Sequence, residues 1–173
     1  MRVQTSRFGE IEVALADILE FAEGLLGFGE LHKFVLLDDP NDDIFAWLQS
    51  CDNSQIAFPV LEPELFSSSY QIELPKSDLE ALDIKSVQEG RLLTIITIPV
   101  DPTQMTANMK APIVINGKKR IARQCVLQDN SLQIREPIFT KLQQRVVQNP
   151  SASLKAHTQA MGAIRVRRPE AEV

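Results

Sequence analysis

Apolar and polar residues along the first 137 positions change places every few residues, in short blocks separated by turn-forming residues. "RVQTS" and "IEVAL" flank Gly9 and predict two short strands around a turn. "DILEF" is a third apolar block, and "KFVLLDD" a fourth that stops at the Pro-, Asn- and Asp-rich "DPNDD". "IFAWLQS" and "QIAFPVL" read as a hairpin with a longer loop, "CDNS", between them. Pro59 lacks an N–H, so the second of these is predicted to be an edge strand or bulged. "YQIEL" alternates with period two, and "RLLTIITIPV" is β-branched and apolar on both faces, as a central strand would be. "APIVI" and "RIARQCVL" surround Asn116-Gly117, the sequence of a two-residue type I′ turn. One helix is predicted at "SDLEALDI", with Ser77 as cap and Glu80 three residues on.

Eight or more short strands with little helix predict an all-β fold, a mainly antiparallel barrel or sandwich with one or two short helices. After Pro137 the pattern changes. "IFTKLQQRVVQ" places Ile138 or Phe139, Leu142, Val146 and Val147 at helical spacing, and Asn149-Pro150 stops it. The following "SASLKAHTQAMGAIRVRRPEAEV" is rich in Ala and Ser and basic, with weak periodicity, so the C-terminal part is predicted to be helical or disordered. The expected organisation is a β domain over 1–137 and a basic extension over 138–173, a short helix followed by a flexible segment.

Charge sharpens this division. The chain has 173 residues and a net charge of −5, yet residues 1–90 carry −13 while 91–140 and 141–173 carry +4 each. An acidic first half steers basic partners and disfavours nucleic acid, or simply keeps the protein soluble. No apolar run approaches the roughly 20 residues of a membrane span, and the N-terminus lacks the apolar core of a secretory signal. Cys51 and Cys125 form no CxxC pair, which argues against a disulfide framework or zinc site and fits a reducing, cytoplasmic setting.

Catalytic chemistry finds little to work with. His32 and His157 have no companion motif, and His32, next to Lys33 before a strand, reads as a solvated loop residue. "GLLGFG" lacks the Lys-Ser/Thr of a phosphate loop and reads as a glycine-permitted turn with Leu25, Leu26 and Phe28 packed inward. "DDPNDD" lacks the central Gly and the final Glu of a calcium loop. No catalytic residue, cofactor site or metal site is assigned. "KKRIAR", Lys118 to Arg123, leaves a nucleic-acid reading open together with the basic tail, although it carries no aromatic stacking platform.

Binding residues are better represented. In "NMKAPIVING" Pro112 disfavours helix at Ala111, so an extended lead-in would set Asn108 and Lys110 on one face. They form a contact surface, or else Asn108 bonds its own backbone and Lys110 is merely solvated. Gln49 and Ser50, closing "AWLQS", are a second candidate. Trp47 and Leu48 point to opposite faces there, one into the core and the other open to solvent.

"EGLLGF", "KFVLL", "FAWLQS", "IAFPVLEPELF", "MTANMKAPIVIN" and "RQCVL", in this order, resemble the flagellar assembly factor FliW family over about residues 1–137. The resemblance implies a small β-barrel-like cytoplasmic protein without catalysis. It implies binding to flagellin and to the translational regulator CsrA, whose repression of flagellin synthesis such proteins relieve by an allosteric antagonism. On this basis Gln49, Ser50, Asn108, Lys110 and Pro112 are the candidate partner-binding residues. Acids within 38–64 are expected to steer the encounter, and the free protein is expected to be a monomer without direct nucleic-acid binding. Pro59 and the longer basic tail depart from the family pattern. The alternative is an RNA-binding β-barrel acting through Lys118–Arg123 and that tail.

Overall fold

A computed structural model describes residues 1–150, 154–155 and 161–166. In chain order the strands are β1 (Arg2–Thr5), β2 (Gly9–Glu12), β3 (Leu19–Phe21), β4 (Lys33–Asp38), β5 (Ala46–Ser50) and β6 (Ala57–Leu61). Helix α1 (Lys76–Leu82) follows. Then come β7 (Arg91–Thr97), β8 (Thr106–Ala107), β9 (Ile113–Asn116), β10 (Ile121–Gln124), β11 (Glu136–Pro137), helix α2 (Phe139–Gln148) and β12 (Ile164–Arg165). β1 and β2 form a separate hairpin. Strands β7-β6-β5-β4-β3-β10-β9 pair in sequence and β9 pairs back to β7, closing a seven-stranded barrel. Its pairs are antiparallel except β3 with β10. The all-β barrel expected from the strand pattern is the fold observed.

The barrel closes over a dry interior. Leu19, Phe21, Phe34, Leu48, Val60, Leu93, Ile113 and Ile115 are fully buried there, with the Phe21 and Phe34 rings edge to face at 5.1 Å. Successive residues on a strand face opposite ways, so Val35 and Leu37 of β4 leave the interior and pack with Val3, Phe8, Val13 and Trp47 beneath the N-terminal hairpin. Both faces of β4 and β5 are therefore covered, which is why these segments read as unbroken apolar runs. Trp47 and Leu48 are both buried, and neither meets solvent as a strand covered on one side would require. Leu142 of α2 and the preceding Ile138 pack with Met105, Ala107 and Ile96, which seats this helix on the barrel.

Several local expectations give way to tertiary contacts. β6 is not an edge: it lies between β5 and β7. The Ser50 N–H donates to the Ile56 carbonyl at 2.9 Å, so the pairing alternation turns the Pro59 nitrogen away from β5, and β7 pairs only from Val60 onward. The missing donor thus costs no ladder bond. "YQIEL" is irregular. The N-cap of helix α1 is Pro75, two residues before the expected Ser77, and it makes no side-chain cap bond. The β9–β10 connection spans 117–120 rather than two residues, and its left-handed residue is Arg120, φ 56°, not Gly117. The Asn116 side chain decides this. Its amide donates to the Leu82 carbonyl at 2.9 Å while its oxygen accepts from the N–H groups of Lys118 and Lys119.

Strand directions define two barrel ends. The apical end holds the loop before β4, the β5–β6 loop and the lead-in to β9. The basal end holds the β4–β5 turn, the β9–β10 turn and the described tail residues.

Candidate partner-binding surface

The apical end is assembled by three amide side chains. Gln49 and Ser50 close β5 and are both fully buried. Gln49 Nε2 donates to the carbonyls of Ser50, Ser54 and Ile56 at 3.1, 3.3 and 3.2 Å. Ser50 Oγ accepts from the N–H groups of Asp52 and Asn53 at 3.0 and 2.9 Å. A direct contact by either side chain, as the sequence suggested, does not fit this burial. Their hydrogen bonds go to shaping the loop 51–56.

Asn108 is half-buried, and its Oδ1 accepts from the N–H groups of Lys110 and Ala111 at 3.2 and 3.1 Å. The lead-in therefore bends, and Asn108 and Lys110 do not share the face of an extended strand. This is the backbone-bonding role that short amides take in turns. Pro112 is buried, and its carbonyl accepts from Cys125 N–H at 2.9 Å. Lys110 alone of the five candidates sends a charge to the surface. Its Nζ donates to Asn130 Oδ1 at 3.3 Å. The neighbouring Asp129 carboxyl is held below its ordinary range, first by the Ser131 hydroxyl and backbone N–H and then by the Lys110 charge.

Gln124 was not singled out from the sequence, yet it joins these pieces. Its Oε1 accepts from Leu26 N–H at 2.9 Å and its Nε2 donates to the Ala111 carbonyl at 3.1 Å. One side chain thus ties "EGLLGF" to "NMKAPIVIN", with "RQCVL" supplying it. The turn it holds needs Gly24 at φ 65°, where a Cβ would lie 2.4 Å from the Phe28 carbonyl oxygen. Leu25 packs inward as expected, but Leu26 is 58% exposed. Phe28 meets Phe58 edge to face at 5.5 Å, both partly buried, and Val126 is exposed nearby in sequence to Gln124.

Charge is redistributed by the fold. Of the acids within 38–64, Asp38, Asp39 and Glu62 are buried, and Asp42 bonds the N–H groups of Ile44 and Phe45 and the indole of Trp47. Asp43, Asp52 and Glu64 are exposed. Among the four cations of "KKRIAR", Arg123 binds Asp78 at 2.7 Å and Glu23 at 3.1 Å, Lys119 pairs with Asp83, and Arg120 turns inward. Lys118 alone has no partner among the described residues, so little free cationic surface is left there for a phosphate backbone.

A groove of about 890 Å³ beside β7 is lined by Glu62, Glu64, Glu73 and Asp129 with Arg91. Its lining includes no His, Cys, Ser, Thr or Lys among the described residues. Tyr70, also there, donates its hydroxyl to the Met109 carbonyl at 2.6 Å. Exposed His32 touches the Phe21 carbonyl through Nδ1, and His157 lies outside the described residues. Cys51 and Cys125 are free thiols. Among the described residues no group of three or more His, Cys, Asp or Glu could hold a metal, and no helix is long and apolar enough to cross a membrane.

A family model described as FliW protein matches residues 2–138. The flagellar assembly factor FliW of Bdellovibrio bacteriovorus is 64% identical over 155 residues, covering 90% of this chain and 89% of that relative. Its counterpart in Leptospira interrogans is 39% identical over 140 residues, covering 80% and 93%. A crystal structure of the flagellar assembly factor FliW superposes with a TM-score of 0.74 at 34% identity, over 80% of this chain and 97% of the other.

Proposed function

The chain belongs to the FliW family of flagellar assembly factors, and from that premise we propose that it acts in the cytoplasm by binding flagellin and the translational regulator CsrA. Captured CsrA no longer represses flagellin synthesis, so translation follows secretion. The protein catalyses nothing in this scheme and works as a monomer before it meets a partner. The observation that supports a binding role most is the apical end. One buried and two half-buried amides fix its loops, while the Lys110 charge and the apolar Leu26 remain outside. A preorganised surface loses little ordering entropy on association.

Titration of purified flagellin and of CsrA against the wild-type chain and Lys110→Glu tests this reading. We expect at least one affinity to fall about tenfold or more, roughly 1.4 kcal/mol, with an unchanged melting temperature. Equal affinities for both partners would remove Lys110 from the surface, and no binding of either partner would remove the function. The exposed Asp43, Asp52 and Glu64 should raise the association rate with a basic partner, an effect that salt suppresses. A rate indifferent to salt would leave those acids without that role.

A further inference from the structure

The basal end holds a feature that lies partly outside the family match. β5 pairs with β4 from Phe34 to Leu37, but on the other side β3 reaches only Lys33 and Phe34. The outer half of that edge is taken by the tail. Ile164 and Arg165 pair in parallel with Leu37 and Asp38, and the Val166 N–H donates to the Asp38 carbonyl at 2.9 Å. We propose that this edge of β4 is a strand-docking site, and that the chain's own residues Leu154–Lys155 and Met161–Val166 occupy it as an exchangeable intramolecular ligand.

The receptor side is built entirely from residues within the family match. Asp38 and Asp39 are buried at the end of β4 and take the Lys155 ammonium, Asp38 through its carboxylate and Asp39 through its carbonyl at 2.9 Å. Arg120, in the left-handed conformation, donates from Nη1 to the Met161 carbonyl at 2.7 Å and from Nη2 to the Asp17 carbonyl at 2.8 Å. Met161 packs at the barrel core, and Val166 packs with Val35, Leu37 and Trp47. The ligand side, beyond residue 138, is extra to the barrel: the solved FliW chain is matched over 97% of its length by 80% of this one.

These contacts specify a site more than they stabilise a fold. The ladder is short and parallel, the less stable pairing per residue. A buried ion pair recovers little beyond its desolvation cost, but it strongly rejects a segment that lacks the cation. The ligand chemistry follows: an extended segment whose aliphatic residues line β4, preceded by a lysine that reaches Asp38. While docked, the segment covers the edge and neutralises Asp38. Released, it opens both to another segment of the same kind.

The test uses the full chain and a labelled peptide of residues 154–166. The double variant Lys155→Glu/Ile164→Pro should release the tail in cis and bind the peptide about tenfold or more tighter than the wild type does. Adding Asp38→Asn should weaken that binding. Peptide carrying Lys155→Glu should bind neither protein. Equal peptide binding by wild type and a folded double variant, or none by either, would overturn the proposal. Hydrogen exchange on the wild type gives a second reading that needs no variant. The Val166 amide should be protected relative to the free peptide, yet exchange at least about 100-fold faster than that of Val35, which pairs with Gln49 of β5 on the opposite edge. Protection equal to Val35 would mean a fixed strand, and no protection would mean no docking.

Discussion

The two ends of the barrel are held by different chemistry. At the apical end Gln49, Asn108 and Gln124 bind backbone groups through neutral amides. At the basal end charged side chains join the neutral Asn116 amide: Lys155 with Asp38, Lys119 with Asp83, and Arg120 on two carbonyls. Amides neither titrate nor carry a charge for salt to screen, so these three contacts are insensitive to pH and salt while the barrel is folded. Ion pairs respond to both, more so where they are exposed. The comparison separates a surface of fixed shape from one whose cover can change.

The largest effect expected concerns Cys51, in the loop that Gln49 holds. Burial, with a smaller contribution from Asp52 and opposition from Lys33, pushes its thiol up to about 11. Because the folded value is raised above 9.0, stability from this group is intact below that pH and is lost as pH rises towards about 11. At pH 8 the thiolate fraction is reduced about 100-fold, so alkylation should be slower than for a free cysteine by that factor. An ordinary rate would show that the apical loop opens readily, and the fixed-shape half of the comparison would fail.

Gln49→Leu comes next. It removes a donor from three carbonyls, of which Ser54 and Ile56 keep the N–H groups of Ser6 and Ser50, and we expect a loss of about 2 kcal/mol in urea unfolding, the same at low and high salt, with faster Cys51 alkylation. Asn108→Ala should cost about 1 kcal/mol, again independent of salt. At the other end Lys119→Met removes a pair whose side chains are each 60% exposed; the loss should be at most about 0.5 kcal/mol and vanish in 1 M salt. Salt dependence at Asn108, or its absence at Lys119, would erase the contrast.

Much of the barrel was legible because strand blocks and breakers act over a few residues. "KFVLLDD", "FAWLQS" and "RLLTIIT" became β4, β5 and β7, and Asn149-Pro150 ended α2. The candidate surface was legible only in outline. Gln49 and Ser50 are polar residues at a strand end, a position that suits exposure equally well; only the convergence of the Ser50, Ser54 and Ile56 carbonyls on the Gln49 amide makes burial favourable. Asn108 showed its turn-forming chemistry, while the partner of Gln124 lies 98 residues away at Leu26.

By itself, then, the sequence determined the all-β class, the sites of most strands and the second helix, and the absence of a recognisable catalytic motif, because hydrophobic periodicity and turn chemistry are local. The tertiary structure alone decided ring closure through β3–β10 and β7–β9, the interior place of Pro59, and the four-residue turn at Asn116. It also decided which charges face water. Each of these depends on which distant backbone group or charge is left needing a partner, and the closed barrel supplies that partner by bringing far-separated segments together.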